Sequence, residues 1–65
     1  MKTANGVEIT DGLRVWDNNL GRGVVDLSKM GSDGWFHVRL DDQRGRSLMN
    51  AERVTTRHPF TGELA

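Results

Sequence analysis

Large apolar and polar residues alternate most regularly over residues 34–42, Gly-Trp-Phe-His-Val-Arg-Leu-Asp-Asp. Alternation over this length is typical of a strand with one buried face. Three purely apolar side chains, Phe36, Val38 and Leu40, share one face of that strand. The acidic residues that follow, and the glycine beyond them, favour a hairpin loop. The pattern therefore predicts a long strand over residues 35–41 whose Phe-Val-Leu face lies in the core.

Turn-forming residues divide the rest of the chain into short segments. Up to residue 45, glycines, three of them preceded by asparagine or aspartate, recur at intervals too short for an ordinary helix of about 11 residues. Short strands separated by regular turns are the signature of an all-β barrel or sandwich. Residues 7–9 are a candidate for a further short strand near the N-terminus. The five predicted strands cover residues 13–17, 23–27, 35–41, 46–49 and 54–57.

Side-chain alternation also predicts which residues of each strand face the core. In the first strand, Arg14 and Trp16 point outward because their apolar neighbours point inward. A slip of one residue would reverse the facing of a whole strand. The predicted inward-facing residues are Leu13, Val15, Val25, Leu27, Phe36, Val38, Leu40, Leu48 and Val54.

A single helical turn is predicted between the last two strands. Asn50 can accept hydrogen bonds from the exposed amides of a short turn, so residues 50–53 favour a one-turn 3₁₀ helix. Beyond the last strand, Pro59 lacks an amide donor and Gly62 interrupts any regular pattern. Residues 58–65 are therefore predicted to form an irregular tail.

This order of strands, with a 3₁₀ turn before the last one, resembles the SH3-like small barrels, and within them the KOW and Tudor-like barrels. The resemblance covers residues 12–57. It is carried by Gly-Leu-Arg-Val-Trp at 12–16, Gly-Arg-Gly-Val-Val at 21–25, and Val-Arg-Leu-Asp-Asp at 38–42 followed by Glu-Arg-Val at 52–54. It implies a five-stranded barrel that acts by binding RNA, DNA, peptides or other proteins. The aromatic cage of Tudor domains cannot be mapped, because the chain has no Tyr and two Trp residues.

Two further features of the sequence bear on the origin and the location of the protein. Arg-His-Pro-Phe-Thr-Gly-Glu at residues 57–63 is similar to small uncharacterised proteins of actinobacteria and their bacteriophages, a similarity that implies no activity. No apolar run reaches the ~20 residues that span a membrane, and no apolar signal segment follows the first residues. We therefore predict a cytoplasmic protein, located in the host cytoplasm if a phage encodes it.

The chain is small and lacks the usual supports of small domains. Its 65 residues predict one domain over residues 1–65, with the barrel at about 12–57 and the tail at 58–65. A domain of this size buries only about 60% of the surface that its unfolded chain exposes. No cysteine is present, so neither a disulfide nor a thiolate metal site can compensate. A compact core, oligomerisation or both must supply the stability.

Basic and acidic residues balance to a formal net charge of zero. This balance disfavours a nucleic-acid binder that is driven by overall positive charge. Basic residues are nevertheless concentrated, mostly as arginine, between residues 27 and 57. Arginine suits planar, bidentate contacts, so a local basic binding surface stays open as an interpretation.

The two tryptophans are the sharpest candidates for binding residues. Trp16 and Trp35 are both predicted on the outer face, where Arg14, His37 and Arg39 would join them in one aromatic and basic patch. An exposed Trp beside Arg suits stacking on bases or a hot spot in a protein interface. The candidate binding residues are Arg14, Trp16, Trp35, His37, Arg39 and Arg46.

The plainer alternative is that the tail covers one tryptophan. Phe60 or Leu64 would then pack against an indole ring, because an exposed apolar patch is costly for a monomer. Self-association as a homodimer would satisfy both interpretations. The candidate self-association residues are Trp16, Trp35, Phe60 and Leu64.

Residues that could carry catalysis or a metal lack the required arrangement. His37 and His58 are far apart in sequence, with no further ligands at metal-site spacing. Asp41 and Asp42 are adjacent, so on a strand they point to opposite faces and cannot share a proton. No serine has the surroundings of a nucleophile elbow, and Gly-Arg-Gly at 21–23 lacks the spacing of a phosphate loop.

We therefore expect a non-enzymatic interaction module that needs no cofactor and no metal. The favoured partner is a protein, including a second copy of this chain, and no membrane is involved. The alternative is a nucleic-acid-binding module of KOW type. Its contacts would come from Arg14, Arg39, Arg44, Arg46 and the two tryptophans.

Overall fold

The computed structural model describes residues 1–29, 31–42 and 45–65. Its strands are β1 (Arg14–Asp17), β2 (Gly21–Asp26), β3 (Trp35–Leu40), β4 (Arg46–Asn50) and β5 (Val54–Thr55). All neighbouring strands pair antiparallel, in the order β4-β3-β2-β1-β5, and the sheet curls into a half-barrel. Within the described ranges there is no α-helix. The predicted all-β fold class is confirmed, and a small curled sheet of this kind is compatible with an SH3-like barrel.

The predicted 3₁₀ turn is present, at Ala51–Arg53 just before β5. The side chain of Asn50 starts it by accepting a hydrogen bond from the amide of Glu52 at 2.9 Å. This bond satisfies one of the amides that a turn leaves without a partner. None of the described segments forms a helix of the length and apolar character that crossing a membrane requires.

Two predicted strands are reduced by more than one residue. β5 contains two residues, because the hydroxyl of Thr55 donates to the carbonyl of Arg57 and the chain turns away after Thr56. The candidate strand at residues 7–9 is reduced to a single bridge between Lys2 and Glu8. Ile9, the last of those three residues, is nevertheless buried in the core. The N-terminal segment therefore adds an apolar side chain to the half-barrel without adding a strand.

The predicted facing of β3 is confirmed. Phe36, Val38 and Leu40 are all buried, and the neighbouring strands present their own inward residues to them. Burying a large apolar side chain of this kind stabilises the folded chain by about 1.5–3 kcal/mol. The core consists of Ile9, Val15, Val25, Phe36, Val38, Leu40, Met49, Ala51 and Val54.

The predicted facing of β4 is wrong by one residue. Leu48 was expected inside, but its side chain is 47% exposed, whereas Met49 is 1% exposed. The cause is the register with β3, which places Met49 beside Phe36 and Leu48 beside His37. Residues that are paired across a sheet share a face, so Met49 joins the core and Leu48 the outer face.

Leu27 departs from its predicted inward facing, and Leu13 keeps it in part. Leu27 is exposed, because β2 ends at Asp26 and the alternation of the strand stops there. The amide of Leu27 instead donates to the carboxylate of Asp11 at 2.8 Å, which holds the chain in a turn. Leu13 is half-buried and packs against the edge of the core. These positions mark where strand geometry gives way to loop geometry.

β2 and β3 approach each other closely at Gly23. A Cβ atom at this position would lie 2.3 Å from Val38 Cγ1 and 2.8 Å from the carbonyl oxygen of Arg39. Both distances are far shorter than van der Waals contact, so only glycine fits without a shift of β3. Val38, next to this close approach, is fully buried.

Candidate interaction surface on the outer face and open edge of the sheet

The outer face carries a row of arginines across four strands. The strand registers place Arg14 of β1 beside Val24 of β2, Val24 beside Arg39 of β3, and Arg39 beside Arg46 of β4. We call Arg14, Arg39 and Arg46, with Val24 between them, the arginine row. The structure thus brings together three of the six predicted binding residues. Arg44, also predicted for a nucleic-acid contact, lies outside the described residues.

Two members of the arginine row are held by carboxylates of the same chain. A guanidinium nitrogen of Arg14 pairs with Asp41, and its Nε donates to the carbonyl oxygen of Ala65 at 2.9 Å. Nη1 of Arg46 lies 2.9 Å from Asp26 Oδ2. Arg39 forms no ion pair with any residue that the structure describes. Arg39 is therefore the member of the row whose charge is the least compensated.

The ion pair at Asp26 is set by its surroundings. The side-chain hydroxyl of Ser28 and then the amide of Ser28 donate to Asp26 Oδ1, and these two bonds lower the pKa of the carboxyl group below its usual range. The positive charges of Arg46 and Arg39 lower that pKa further, against the opposing effect of burial. Asp26 therefore stays ionised at neutral pH, and it positions the side chain of Arg46 over β2.

A shallow depression of about 460 Å³ lies where the arginine row meets the β3–β4 hairpin. It is open to solvent, and arginine and aspartate side chains both contribute to its wall. Mixed charge of this kind suits polar contacts with a protein surface as well as with an anion. The lining residues are Val24, Arg39, Leu40, Asp41, Gly45 and Arg46.

The tail folds back onto one tryptophan, as the plainer sequence interpretation expected, but through a different residue. The ring of His58 lies 4.8 Å from that of Trp16, centroid to centroid, with the planes tilted by 57°. Phe60 in turn contacts His58 at 5.8 Å, yet it is itself 88% exposed, and Leu64 is 68% exposed. Trp16 is therefore half-buried under His58, while Phe60 and Leu64 remain on the surface.

The two tryptophans do not form the single patch that was predicted. Trp16 is paired with Arg22 of β2, and Trp35 lies two residues along β3 from His37, which is paired with Asp26 of β2. The two tryptophans are therefore six residues apart along the sheet, four from Arg22 to Asp26 and two from His37 to Trp35. This corresponds to ~20 Å at about 3.3 Å per residue. The predicted patch is thus divided between the two ends of the outer face.

Trp35 has an exposed apolar neighbour that sequence reasoning placed in the core. Trp35 is paired with Asn50, and His37 with Leu48, so Trp35 and Leu48 are diagonal neighbours on the outer face. Diagonal neighbours lie about 7–8 Å apart, within reach of an indole ring. Trp35 is 42% exposed and Leu48 is exposed to a similar extent. We call these two residues the Trp35–Leu48 pair; a correct register for β4 would have revealed it.

The hydrogen bonds at the two ends of the β3–β4 ladder show which way the backbone of β4 points. The amide of Ala51 donates to the carbonyl of Gly34 at 2.8 Å, and the amide of Leu40 donates to the carbonyl of Gly45 at 3.4 Å. Bonded and non-bonded pairs alternate along an antiparallel ladder. The odd-numbered residues of β4 are therefore the ones bonded to β3. The even-numbered residues direct their backbone N–H and C=O groups to the free side.

The free side of β4 is an open edge. Neither Arg46 nor Leu48 makes a backbone hydrogen bond to another described residue on that side. Asn50 keeps an extended backbone, with φ −88° and ψ 130°, so the edge stays regular to its last residue. The pairing with β3 is continuous over all of β4, without a bulge. An unbroken edge of this length is a template for a further strand.

The opposite edge of the sheet, at β5, is covered. The carbonyl of Val54 accepts from the amide of Ala4 at 2.8 Å, and the amide of Thr56 donates to Asn5 Oδ1 at 3.2 Å. Asn5 Nδ2 also donates to Thr56 Oγ1 at 2.7 Å, and the carbonyl of Thr56 accepts from the amide of Ala65 at 3.0 Å. The N-terminal segment and the tail thus bond to the carbonyl of Val54 in β5 and to the backbone of Thr56, which follows β5.

The described residues show no group of three or more His, Asp or Glu side chains that could hold a metal ion. His37 lies in the middle of β3, and His58 lies on the tail against Trp16. Nδ1 of His58 accepts from the amide of Phe60 at 3.2 Å, which fits a structural role in the tail.

Comparison of the chain with protein-family models, with curated proteins and with solved structures found no match.

Proposed function

We propose that the protein is a non-enzymatic interaction module of the SH3-like type, and that it binds a protein partner through the open edge of β4 and the Trp35–Leu48 pair. The observation that carries the proposal is the juxtaposition of these two features. The edge offers main-chain hydrogen bonds, and the exposed apolar side chains stand directly beside it. Addition of an extended segment to a sheet edge uses both kinds of contact, the backbone for affinity and the side chains for specificity.

Trp35 is the expected anchor of this interface. Tryptophan is enriched among the residues that dominate binding energy, because a large ring is desolvated in one contact. A partner strand on β4 would place its side chains next to Leu48 and within reach of the indole of Trp35. His37, half-buried beside Leu48, would line the same surface. Three of the candidate binding residues, Trp35, His37 and Arg46, border this edge.

Asp26 acts on this face by positioning a side chain. Its pKa lies below the usual range, because the hydroxyl and the amide of Ser28 donate to it. The ionised carboxylate holds Arg46 in place beside the open edge. The charged residues of this face therefore fit the positioning of side chains for recognition.

The test is a selection of binding peptides. A displayed library of random linear peptides is panned against the wild-type protein, and each selected peptide is measured again on two double variants. Trp35→Ala with Leu48→Ala removes the Trp35–Leu48 pair, and Phe60→Ala with Leu64→Ala removes two exposed apolar residues of the tail as a matched control. We expect about thirtyfold weaker binding to the first variant, a loss of about 2 kcal/mol. Peptides that lose affinity for the control variant alone, or bind both variants equally, would overturn the proposal.

A nucleic-acid-binding role of the KOW type is the second candidate, and the arginine row is the observation that favours it. Arg39 forms no ion pair within the described chain, and Arg14 and Arg46 flank it at one level of the sheet. Phosphate contacts from such a row would release counterions, so affinity would fall steeply with salt. The zero net charge of the chain weakens this candidate relative to the first.

Titration of the tryptophan fluorescence with single-stranded and duplex DNA and RNA at low salt tests this second candidate. Arg39→Ala is expected to weaken binding on all sequences alike. Arg53→Ala, an exposed arginine of the 3₁₀ turn, serves as the control. An exposed ring at Trp35 would add a stacking contribution of about 1–3 kcal/mol per base. No change of signal at micromolar concentrations of any of these ligands would exclude the nucleic-acid role.

A further inference from the structure

We infer that the occupant of the open edge is a second copy of this chain, paired antiparallel through β4 with a two-fold axis at Leu48. The inference rests on the proposed function, since it names the partner of the same surface. It would join the two sheets into one continuous sheet of two half-barrels. Each copy would contribute the same strand, as a closed two-fold dimer requires.

The positions of the outward backbone groups select this axis. The even-numbered residues of β4 direct their backbone outward, and Leu48 is the middle one of the three. An axis at Leu48 pairs Leu48 with its own copy and Arg46 with Asn50 at both ends of the ladder. All five residues of each β4 then lie within the joint ladder, and no like charges stand directly opposite each other.

Every other symmetric register leaves part of β4 unpaired, places like charges opposite each other, or extends the ladder into the 3₁₀ turn. An axis at Arg46 places the two Arg46 guanidinium groups face to face, which is unfavourable. An axis at Ser47 or Met49 leaves one end of each β4 without a partner. An axis at Asn50 requires the ladder to continue into the 3₁₀ turn, whose backbone is no longer extended. The register centred on Leu48 is the one that uses the full length of the edge.

The side chains and the overall charge also suit a second copy. Pairing at Leu48 would cover an exposed leucine with an identical one. Trp35 and Asn50 of one copy would lie in one row with Arg46 of the other copy on the joint outer face. The net charge of zero leaves no long-range repulsion between copies. The edge is therefore complementary to itself in hydrogen bonding and apolar contact, and no charge repulsion opposes the pairing.

Charge swapping at the axis tests both the partner and the register. Leu48→Lys and Leu48→Glu are prepared separately, and sedimentation equilibrium is measured for each variant and for their equimolar mixture. Each variant alone is expected to dimerise at least about tenfold more weakly than the wild type, because identical charges meet at the axis. The mixture is expected to recover dimers, since Lys and Glu then face each other. Leu27→Lys and Leu27→Glu, at a leucine of similar exposure away from the open edge, are the matched controls and are expected to dimerise like the wild type.

A single introduced cysteine gives a second measurement that does not depend on charged variants folding well. The chain has no cysteine, so Leu48→Cys carries one thiol. A hydrogen-bonded antiparallel pair has a Cα–Cα distance of about 5.5 Å, within the range of a disulfide. Mild oxidation should then yield a covalent dimer of Leu48→Cys and much less of Leu27→Cys.

Three results would overturn the inference. They are a wild-type chain that stays at its monomer mass of 7.3 kDa up to millimolar concentration, a dimer unaffected by either charge at position 48, and a mixture that does not recover. The first of these would leave the proposed function intact if selected peptides still depended on the Trp35–Leu48 pair. Loss of that peptide dependence, with dimerisation retained through Leu48, would leave the second copy as the partner of the edge.

Discussion

The two edges of this sheet are treated in opposite ways. β5 has two residues, and the groups beyond its pairing with β1 are occupied by the N-terminal segment and the tail. β4 has five residues in a continuous ladder, and its outer side is bonded to no described residue. The N-terminal segment and the tail thus cover the β5 edge, and no described segment covers the β4 edge in the same way. The difference teaches that an open edge here is a property of one strand and not a general consequence of small size.

The composition of β4 strengthens this contrast. Natural proteins blunt exposed edges with lysine, proline, bulges or very short strands. β4 reads Arg-Ser-Leu-Met-Asn, with no lysine or proline, and its pairing contains no bulge. Arg46 is the one charged residue in it, and Asp26 compensates that charge. The strand therefore lacks the devices that would discourage pairing with another chain.

The largest expected effect separates the two faces of β4. Met49→Ala is expected to lower the free energy of unfolding by about 2–5 kcal/mol, because it opens a cavity beside Phe36. Leu48→Ala, one residue away, is expected to cost only about 0.5–1 kcal/mol, because the side chain is half-exposed. Urea unfolding of both variants at a concentration where the chain is monomeric measures the difference. Equal losses at the two positions would mean that the facing of β4 is not as described.

The second expected effect breaks the covered edge. Asn5→Ala removes the hydrogen bonds that join Asn5 to the amide and hydroxyl of Thr56. We expect a loss of about 1–3 kcal/mol in the free energy of unfolding, at about 0.5–1.5 kcal/mol per bond. The amide of Thr56 should also exchange its hydrogen faster, as measured by NMR.

Asn19→Ala is the control for the covered edge, since Asn19 is exposed and its side chain bonds to no described residue. Its unfolding free energy is expected to match the wild type. If Asn5→Ala is as stable as Asn19→Ala, the hydrogen bonds between Asn5 and Thr56 do not stabilise the covered edge.

The smallest expected effect sharpens the description of the open edge through pH. Because the pKa of Asp26 is lowered in the folded chain, ionised Asp26 stabilises the fold above its ordinary pKa of 3.8. That contribution is lost as the pH falls from this value through the lower pKa of the folded state. Ser28→Ala removes the hydroxyl bond that lowers the pKa most. Thermal unfolding from pH 6 down to pH 2 should therefore show a weaker acid dependence for Ser28→Ala, and an unchanged dependence would contradict this assignment.

Much of the fold follows from sequence because β3 alternates without ambiguity. Phe36, Val38 and Leu40 share one face, and the turn-forming residues confine the other strands to short intervals. The cap at Asn50 follows as well, since a single turn needs one side-chain acceptor at its start. These features depend on neighbours in sequence, which is why local patterns predict them.

The candidate site depends on strand register, and register is not a local property. Leu48 and Met49 are adjacent apolar residues, so alternation alone cannot decide which one is inside; pairing with β3 decides it. The same applies to Trp16 and Trp35, whose separation follows from how β1 and β3 each pair with β2. The contact of His58 with Trp16 joins the tail to the first strand and has no signal in either segment alone.

The covered edge at β5 has a consequence for assembly size. Growth of sheets into fibres requires two open edges per copy, so that every addition exposes a new site. A pair joined through β4 would present only β5 at its two outer ends, and at each end Ala4, Asn5 and Ala65 occupy the backbone groups. In such a pair, the bonds made by these residues would close the outer ends to the addition of further strands. Sequence changes that loosen them would turn a finite assembly into one without a limit.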